Sequence, residues 1–159
     1  MKLIRRFVSL ALCITAVIAM VRCSSDSKNN LNSVEIPNRQ WSQKFKPSLS
    51  VKVTDSTKVY DVILTVRVTT DYPFNNLWMY LTLDGPTGKI DRQPLEVSVT
   101  NAQGQWQGQK TGSLVALRKL VSIMNHPKLG TYKYTFEQGA TEDVLPEVMD
   151  LSLELRQQK

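Results

Sequence analysis

The sequence predicts an all-β fold, an antiparallel sandwich of Ig-like or jelly-roll-like type, carried behind an N-terminal signal helix and a flexible tether. Three observations predict it. Two long stretches carry a period-two apolar stripe, Val62, Leu64, Val66 and Val68 in the first and Leu77, Met79, Leu81 and Leu83 in the second. About eight such runs, each short, are spaced by turn-forming residues. The first 23 positions have a different composition from the rest of the chain.

The opening segment carries Lys2, Arg5 and Arg6, then a continuous apolar run from Phe7 to Val21. That run is about 15 residues, short of the roughly 20 a spanning helix needs, and reads as the core of an export signal. Cys23 follows Met20-Val21-Arg22 and precedes a polar run, Ser24 to Asn32. A cysteine at the cut followed by a polar tether is the arrangement of a bacterial lipoprotein, although Arg22 stands where small residues are usual. An ordinary signal peptide with a free thiol is the alternative. The lipoprotein reading also accounts for the cysteine count: of two cysteines, Cys13 lies in the apolar run and none follows Cys23. No disulfide can then form in the exported domain. The expected division is residues 1–22 as signal peptide, 23–38 as tether, with order beginning near Val34-Glu35-Ile36, and 39–159 as sandwich.

Charge excludes one class of partner. Lys2, Arg5, Arg6 and Arg22 lie in the first 22 positions, which hold no acid. The 16 basic residues that remain of 20 face 14 Asp and Glu. The exported domain is therefore near neutral, and nucleic acid is not an expected partner.

Along the domain, Trp41 heads a stretch to Phe45, and Leu49, Val51 and Val53 share one face of a strand. Val62, Leu64, Val66 and Val68 then line the buried face of a strand whose other face carries Asp61, Thr65 and Arg67. Arg67 should stack or pair on that second face. Asp71-Tyr-Pro-Phe-Asn-Asn76 reverses the chain into a hairpin with the next strand, because Pro73 cannot sit inside a central strand. There Leu77, Met79 and Leu81 oppose Trp78 and Tyr80. Asp84-Gly-Pro-Thr-Gly88 is a tight turn; the spacing before Lys89 is not that of a phosphate loop. Strands follow at Pro94 to Thr100, Tyr132 to Phe136 and Met149 to Leu155. Gln105 to Gly108 is a short extended piece. Ser113 to Met124 fits both a helical stripe (Leu114, Leu117, Val121, Met124) and an interrupted strand; the β surroundings favour strand.

Little points to catalysis. The single histidine, His126, sits beside Pro127 in a loop, where a surface role is expected. Asp84 and Asp91 flank a turn without a calcium-loop spacing, and Glu142, Asp143 and Glu147 read as solvated loop acids. No metal, cofactor or small-molecule substrate is expected. Trp41, Trp78 and Trp106 are more informative: Trp78 and Tyr80 lie on the face opposite the apolar stripe, where an aromatic platform could hold a sugar ring or a partner protein.

Several segments together resemble the gliding motility lipoprotein GldH family of Bacteroidetes. They are the leader ending in cysteine, Asp55-Ser-Thr-Lys-Val-Tyr60-Asp61, Arg67, and Tyr72-Pro-Phe-Asn-Asn-Leu77. Gly104-Gln-Trp-Gln-Gly108, Pro127-Lys-Leu-Gly130-Thr-Tyr132, Phe136-Glu-Gln138 and Asp150 continue the series in order. The chain departs from the family pattern at Gly139-Ala140, where Met-Arg is usual. The resemblance implies an envelope lipoprotein, lipid-anchored at Cys23 and placed at the outer membrane. It implies a non-catalytic accessory of the gliding machinery that acts through protein contacts. The surface to test is Tyr72, Pro73, Phe74, Asn75, Trp78, Trp106 and Glu137. The alternative is a lipid-anchored carbohydrate-binding module using Trp78, Tyr80 or Trp106.

Overall fold

The computed structural model describes residues 30–158. The signal segment, Cys23 and the tether up to Asn29 lie outside the described residues, as does the Asp91 side chain. Eleven strands follow in order: β1 Asn30–Glu35, β2 Gln40–Ser42, β3 Ser48–Val53, β4 Val59–Thr69, β5 Asn76–Gly85 and β6 Gly88–Ser98. Then come β7 Gln109–Thr111, β8 Leu114–Asn125, β9 Gly130–Gln138, β10 Val144–Pro146 and β11 Val148–Gln157. They form a five-stranded sheet β1-β11-β4-β8-β7, a four-stranded sheet β3-β9-β5-β6 and a small β10-β2 ladder, with all neighbours antiparallel.

The alternation of β4 places Val62, Leu64, Val66 and Val68 inward together with Leu151 and Leu153 of β11. Leu49 and Val51 of β3, Leu77 and Met79 of β5, and Tyr134 and Phe136 of β9 belong to the same core. Burying these side chains is the main favourable contribution to the sandwich. Trp41 is fully buried at its edge and its indole Nε1 donates to the Phe45 carbonyl at 2.9 Å.

Three expectations need correction. β4 and β5 are not a hairpin: β4 pairs with β11 and β8, β5 with β9 and β6. Both strands present an apolar stripe to one core, so the Asp71–Asn76 corner carries the chain from one sheet to the other. Order also begins before the expected tether ends. β1 adds to the edge of β11, from Asn30 opposite Leu155 to Glu35 opposite Asp150. Its sequence, Asn-Leu-Asn-Ser-Val-Glu, is polar because an edge strand is held through its backbone more than its side chains. Finally, β6 runs back to Gly88 and contains Pro94; at a sheet edge its missing N–H breaks no ladder.

The ambiguous segment is strand β8, with a bulge. Val62 pairs with Ser122 and Ile63 with Leu120, so Val121 is an extra residue. Before it Val115 and Leu117 point inward; beyond it Ser122 and Met124 do, and Leu120 and Ile123 both lie on the outer face.

Candidate functional site at one end of the sandwich

The corner at Thr70 to Asn75, the loop before β7 and the loop after β9 gather at one end. The corner is held first by backbone: Tyr72 N donates to Thr69 O at 3.2 Å and Thr70 N to Ser113 O at 2.8 Å. Thr69 Oγ1 donates to Glu147 Oε2 at 2.7 Å, and Arg39 pairs with the same oxygen at 3.3 Å. Tyr72 is a packing residue, only 5% exposed, whose hydroxyl donates to Asn76 O at 3.1 Å. Burial pushes its phenol well above the ordinary range, so it stays protonated. Its ring meets Phe74 edge-on, with centroids 5.6 Å apart.

Phe74 and Trp78 then line a cleft of about 290 Å³ with Tyr72, Ala140, Glu142 and Leu145. Trp78 is 44% exposed, on the outer face of the four-stranded sheet. The wall opposite is the loop from Gly139 to Asp143, and two glutamines shape it. Gln138 is buried; its Nε2 donates to Glu142 O at 2.8 Å and Asp143 O at 3.4 Å, and its Oε1 accepts from Ala140 N at 2.8 Å. Gln43 Nε2 reaches the carbonyls of Ala140 and Glu142, each at 3.3 Å, and its backbone N donates to Asp143 O at 3.0 Å. The fit at Gly139 is tight: a Cβ there would stand 3.1 Å from Tyr80 Cε2 and 3.4 Å from Trp78 O. Gly139 N donates to Trp78 O at 2.8 Å, which holds this wall close to the Trp78 strand.

Beyond Trp78 the same face is ionic. Tyr80 sits opposite Glu137, and the Arg92 guanidinium lies over its ring, 3.4 Å from the centroid. Glu137 pairs with Lys46 at 3.1 Å and with Arg92 at 3.6 Å. One face of Tyr80 is therefore covered by a cation, leaving Trp78 as the open aromatic of the pair.

The expected surface residues divide accordingly. Tyr72, Phe74 and Trp78 come together at the cleft, with Glu137 on the adjoining rim, and Pro73 is exposed in the corner. Tyr72 supports the cleft from below rather than facing solvent. Asn75 and Trp106 form a separate group. Asn75 O accepts from Val99 N at 2.8 Å and Thr100 N at 3.0 Å, and its Oδ1 accepts from Thr100 Oγ1 at 2.9 Å. Trp106 bridges to Thr100 and packs half-buried against the core. Gly108 closes that segment because a Cβ would stand 2.4 Å from Ala116 O.

Arg67 pairs as its face requires. Its Nε lies 2.9 and 2.8 Å from the two oxygens of Asp150, its Nη2 also contacts the carboxylate, and Asp150 is 3% exposed. Those hydrogen bonds raise the guanidinium pKa further. His126 is exposed in the β8–β9 loop at the opposite end of the sandwich. Sequence reading picked out Glu137 but missed Gln138 and Gln43. A polar residue on the inward phase of β9, continuing Tyr132, Tyr134 and Phe136, was the available signal.

Comparison with known proteins gives the chain a family. The family described as GldH lipoprotein matches residues 30–155. A curated relative, the gliding motility lipoprotein GldH homolog of Christiangramia forsetii, is 30% identical over 102 residues, 63% of this chain and 62% of its own length. The gliding motility lipoprotein GldH of Flavobacterium johnsoniae is 28% identical over 90 residues, 57% of each. The chain thus spans about three fifths of the curated relatives it matches. Among solved structures, a cellulose-specific carbohydrate-binding module, CBM28, overlays with a TM-score of 0.43 at 8% identity, covering 81% of this chain and 73% of its own. Dimeric latent PorU from Porphyromonas gingivalis overlays with a TM-score of 0.31 at 9% identity, covering 81% and 13%. With its family match running from the first described strand into the last, the chain belongs to the GldH lipoprotein family.

Proposed function

We propose that this chain is a non-catalytic accessory of the gliding machinery, anchored at the outer membrane by lipid on Cys23, palmitate among its acyl chains. In this reading it acts by holding an envelope protein partner at the Phe74–Trp78 cleft. The observation that carries the proposal is the placement of Trp78. It is a large exposed aromatic beside half-buried Phe74, bordered by the Arg92–Glu137–Lys46 ion-pair network. An apolar centre with an aromatic anchor inside a charged rim is the anatomy of a protein interface. The carbohydrate-module reading has less support, since Arg92 occupies a Tyr80 face that a sugar ring would use.

The test is complementation of a deletion strain with Phe74→Ala/Trp78→Ala. The expected result is normal protein level and fatty-acid labelling, with loss of colony spreading. Full spreading at normal protein level would refute the assignment of the cleft.

A further inference from the structure

We infer that the opposite end of the sandwich is a membrane-contact surface that seats on an anionic phospholipid bilayer. The inference rests on the proposed Cys23 anchor. The end is defined by Lys58, the Pro86-Thr87 turn, the His126–Leu129 loop and the C-terminal residues. His126 N donates to Lys58 O at 3.2 Å and Gln158 N to Val59 O at 2.9 Å, while Gly130 lies against Pro86. β1 enters near this end: Asn30 stands opposite Leu155, itself opposite Val62, close to the start of β4. Cys23 precedes Asn30 by seven positions, and seven residues span at most about 25 Å when fully extended. A lipid on Cys23 therefore keeps this end close to the bilayer. The eleven residues of β4, at about 3.3 Å each, put the Trp78 cleft roughly 35 Å farther out.

The chemistry of the end matches that position. Leu129 is 58% and Ile123 51% exposed, the two most exposed of the large hydrophobics among the described residues. Around them stand Lys58, Lys89 and Lys128, all exposed and without a salt-bridge partner among the described residues. Lys52 and Lys133 continue the basic surface along β3 and β9. Among the described residues, the aspartates near this end are already engaged: Asp61, opposite Ile123 in the ladder, accepts from Arg156 and Gln158. Asp55 is engaged by the backbone N and Oγ1 of Thr57 at 2.8 and 2.7 Å, and Asp84 is flanked by Lys89 and Lys133 in the ladders. An apolar side chain at a loop tip, a second two residues before the end of β8, and exposed lysines beside them suit the boundary between acyl chains and anionic headgroups. Seating this end aims the cleft away from the membrane, toward a partner.

The test uses the lipidated protein in vesicles of mixed zwitterionic and anionic phospholipid, with a nitroxide at Leu129→Cys or, as the far-end control, Val144→Cys. The expected result is a several-fold higher ratio of oxygen to nickel-complex accessibility at 129 than at 144. Lys58→Glu/Lys89→Glu/Lys128→Glu should return position 129 to the aqueous value with the lipid mass unchanged. Aqueous values at both positions on a protein whose mass includes the lipid would overturn the docking surface. An unmodified mass would instead overturn the anchor, and the inference with it. Retention of the high ratio in the triple variant would overturn the role given to the lysines.

Discussion

Gln138→Leu tests whether one buried amide builds the wall of the cleft. The substitution removes two hydrogen bonds of 2.8 Å, to Glu142 O and from Ala140 N, and a weak one of 3.4 Å to Asp143 O. The two carbonyls are not orphaned, because Gln43 also donates to both. Ala140 N loses its side-chain acceptor. At about 1 kcal/mol for each good bond, the expected loss is about 2 kcal/mol. For about 130 residues at about 2.1 cal/mol/K each, that corresponds to a Tm lowered by about 7 °C. Thermal unfolding followed by circular dichroism reads the shift, and amide exchange locates it, with Ala140 protection falling while Leu64 and Leu151 in the core keep theirs. A Tm within about 2 °C of the parent, with Ala140 still protected, would refute the reasoning, since no hydrogen bond worth its usual amount would have been lost.

Three further outcomes follow from packing and charge. Arg67→Met leaves the buried Asp150 carboxylate without its partner and should cost about 2–3 kcal/mol in urea titration, less than a wholly buried pair because Arg67 is half exposed. Leu117→Ala should cost about 2–4 kcal/mol and Leu120→Ala well under 1, since the bulge puts the first inside and the second outside; equal losses would contradict that assignment. Acid stability should depend on Asp61, whose carboxyl is held below its ordinary value of 3.8 first by the Arg156 hydrogen bond and then by Gln158. A depressed folded pKa gives stability that is present above 3.8 and lost as pH falls through the lower folded value. Arg156→Gln should therefore lower stability at neutral pH and make its fall below pH 3.8 shallower; a parallel acid limb would contradict the pairing.

The strands were legible wherever alternation met a single core. Val62 to Val68 and Leu77 to Leu81 fix the faces of β4 and β5, and from them the outward positions of Arg67 and Trp78. What alternation does not carry is which strand pairs with which, so the Asp71–Asn76 corner reads as a hairpin although it crosses between sheets. β8 was ambiguous for a local reason. Its bulge at Val121 shifts the inward phase by one, and the resulting spacing of Leu117, Val121 and Met124 imitates a helix. β1 was hidden because a strand held by backbone pairing leaves little apolar pattern. At the site, Trp78 and Glu137 can be read from strand phase, and Gln138 only as a polar residue on the inward phase of β9; Gln43 acts on a loop about 100 positions away through hydrogen bonds that no local pattern encodes.

Site-specific photo-crosslinking in the source bacterium, with p-benzoylphenylalanine in place of Trp78, addresses the central claim most directly. The account predicts a discrete higher-mass adduct with an envelope protein at position 78, and none when the same group replaces Leu120 on the other sheet. Adduct formation at 120 with silence at 78 would contradict it.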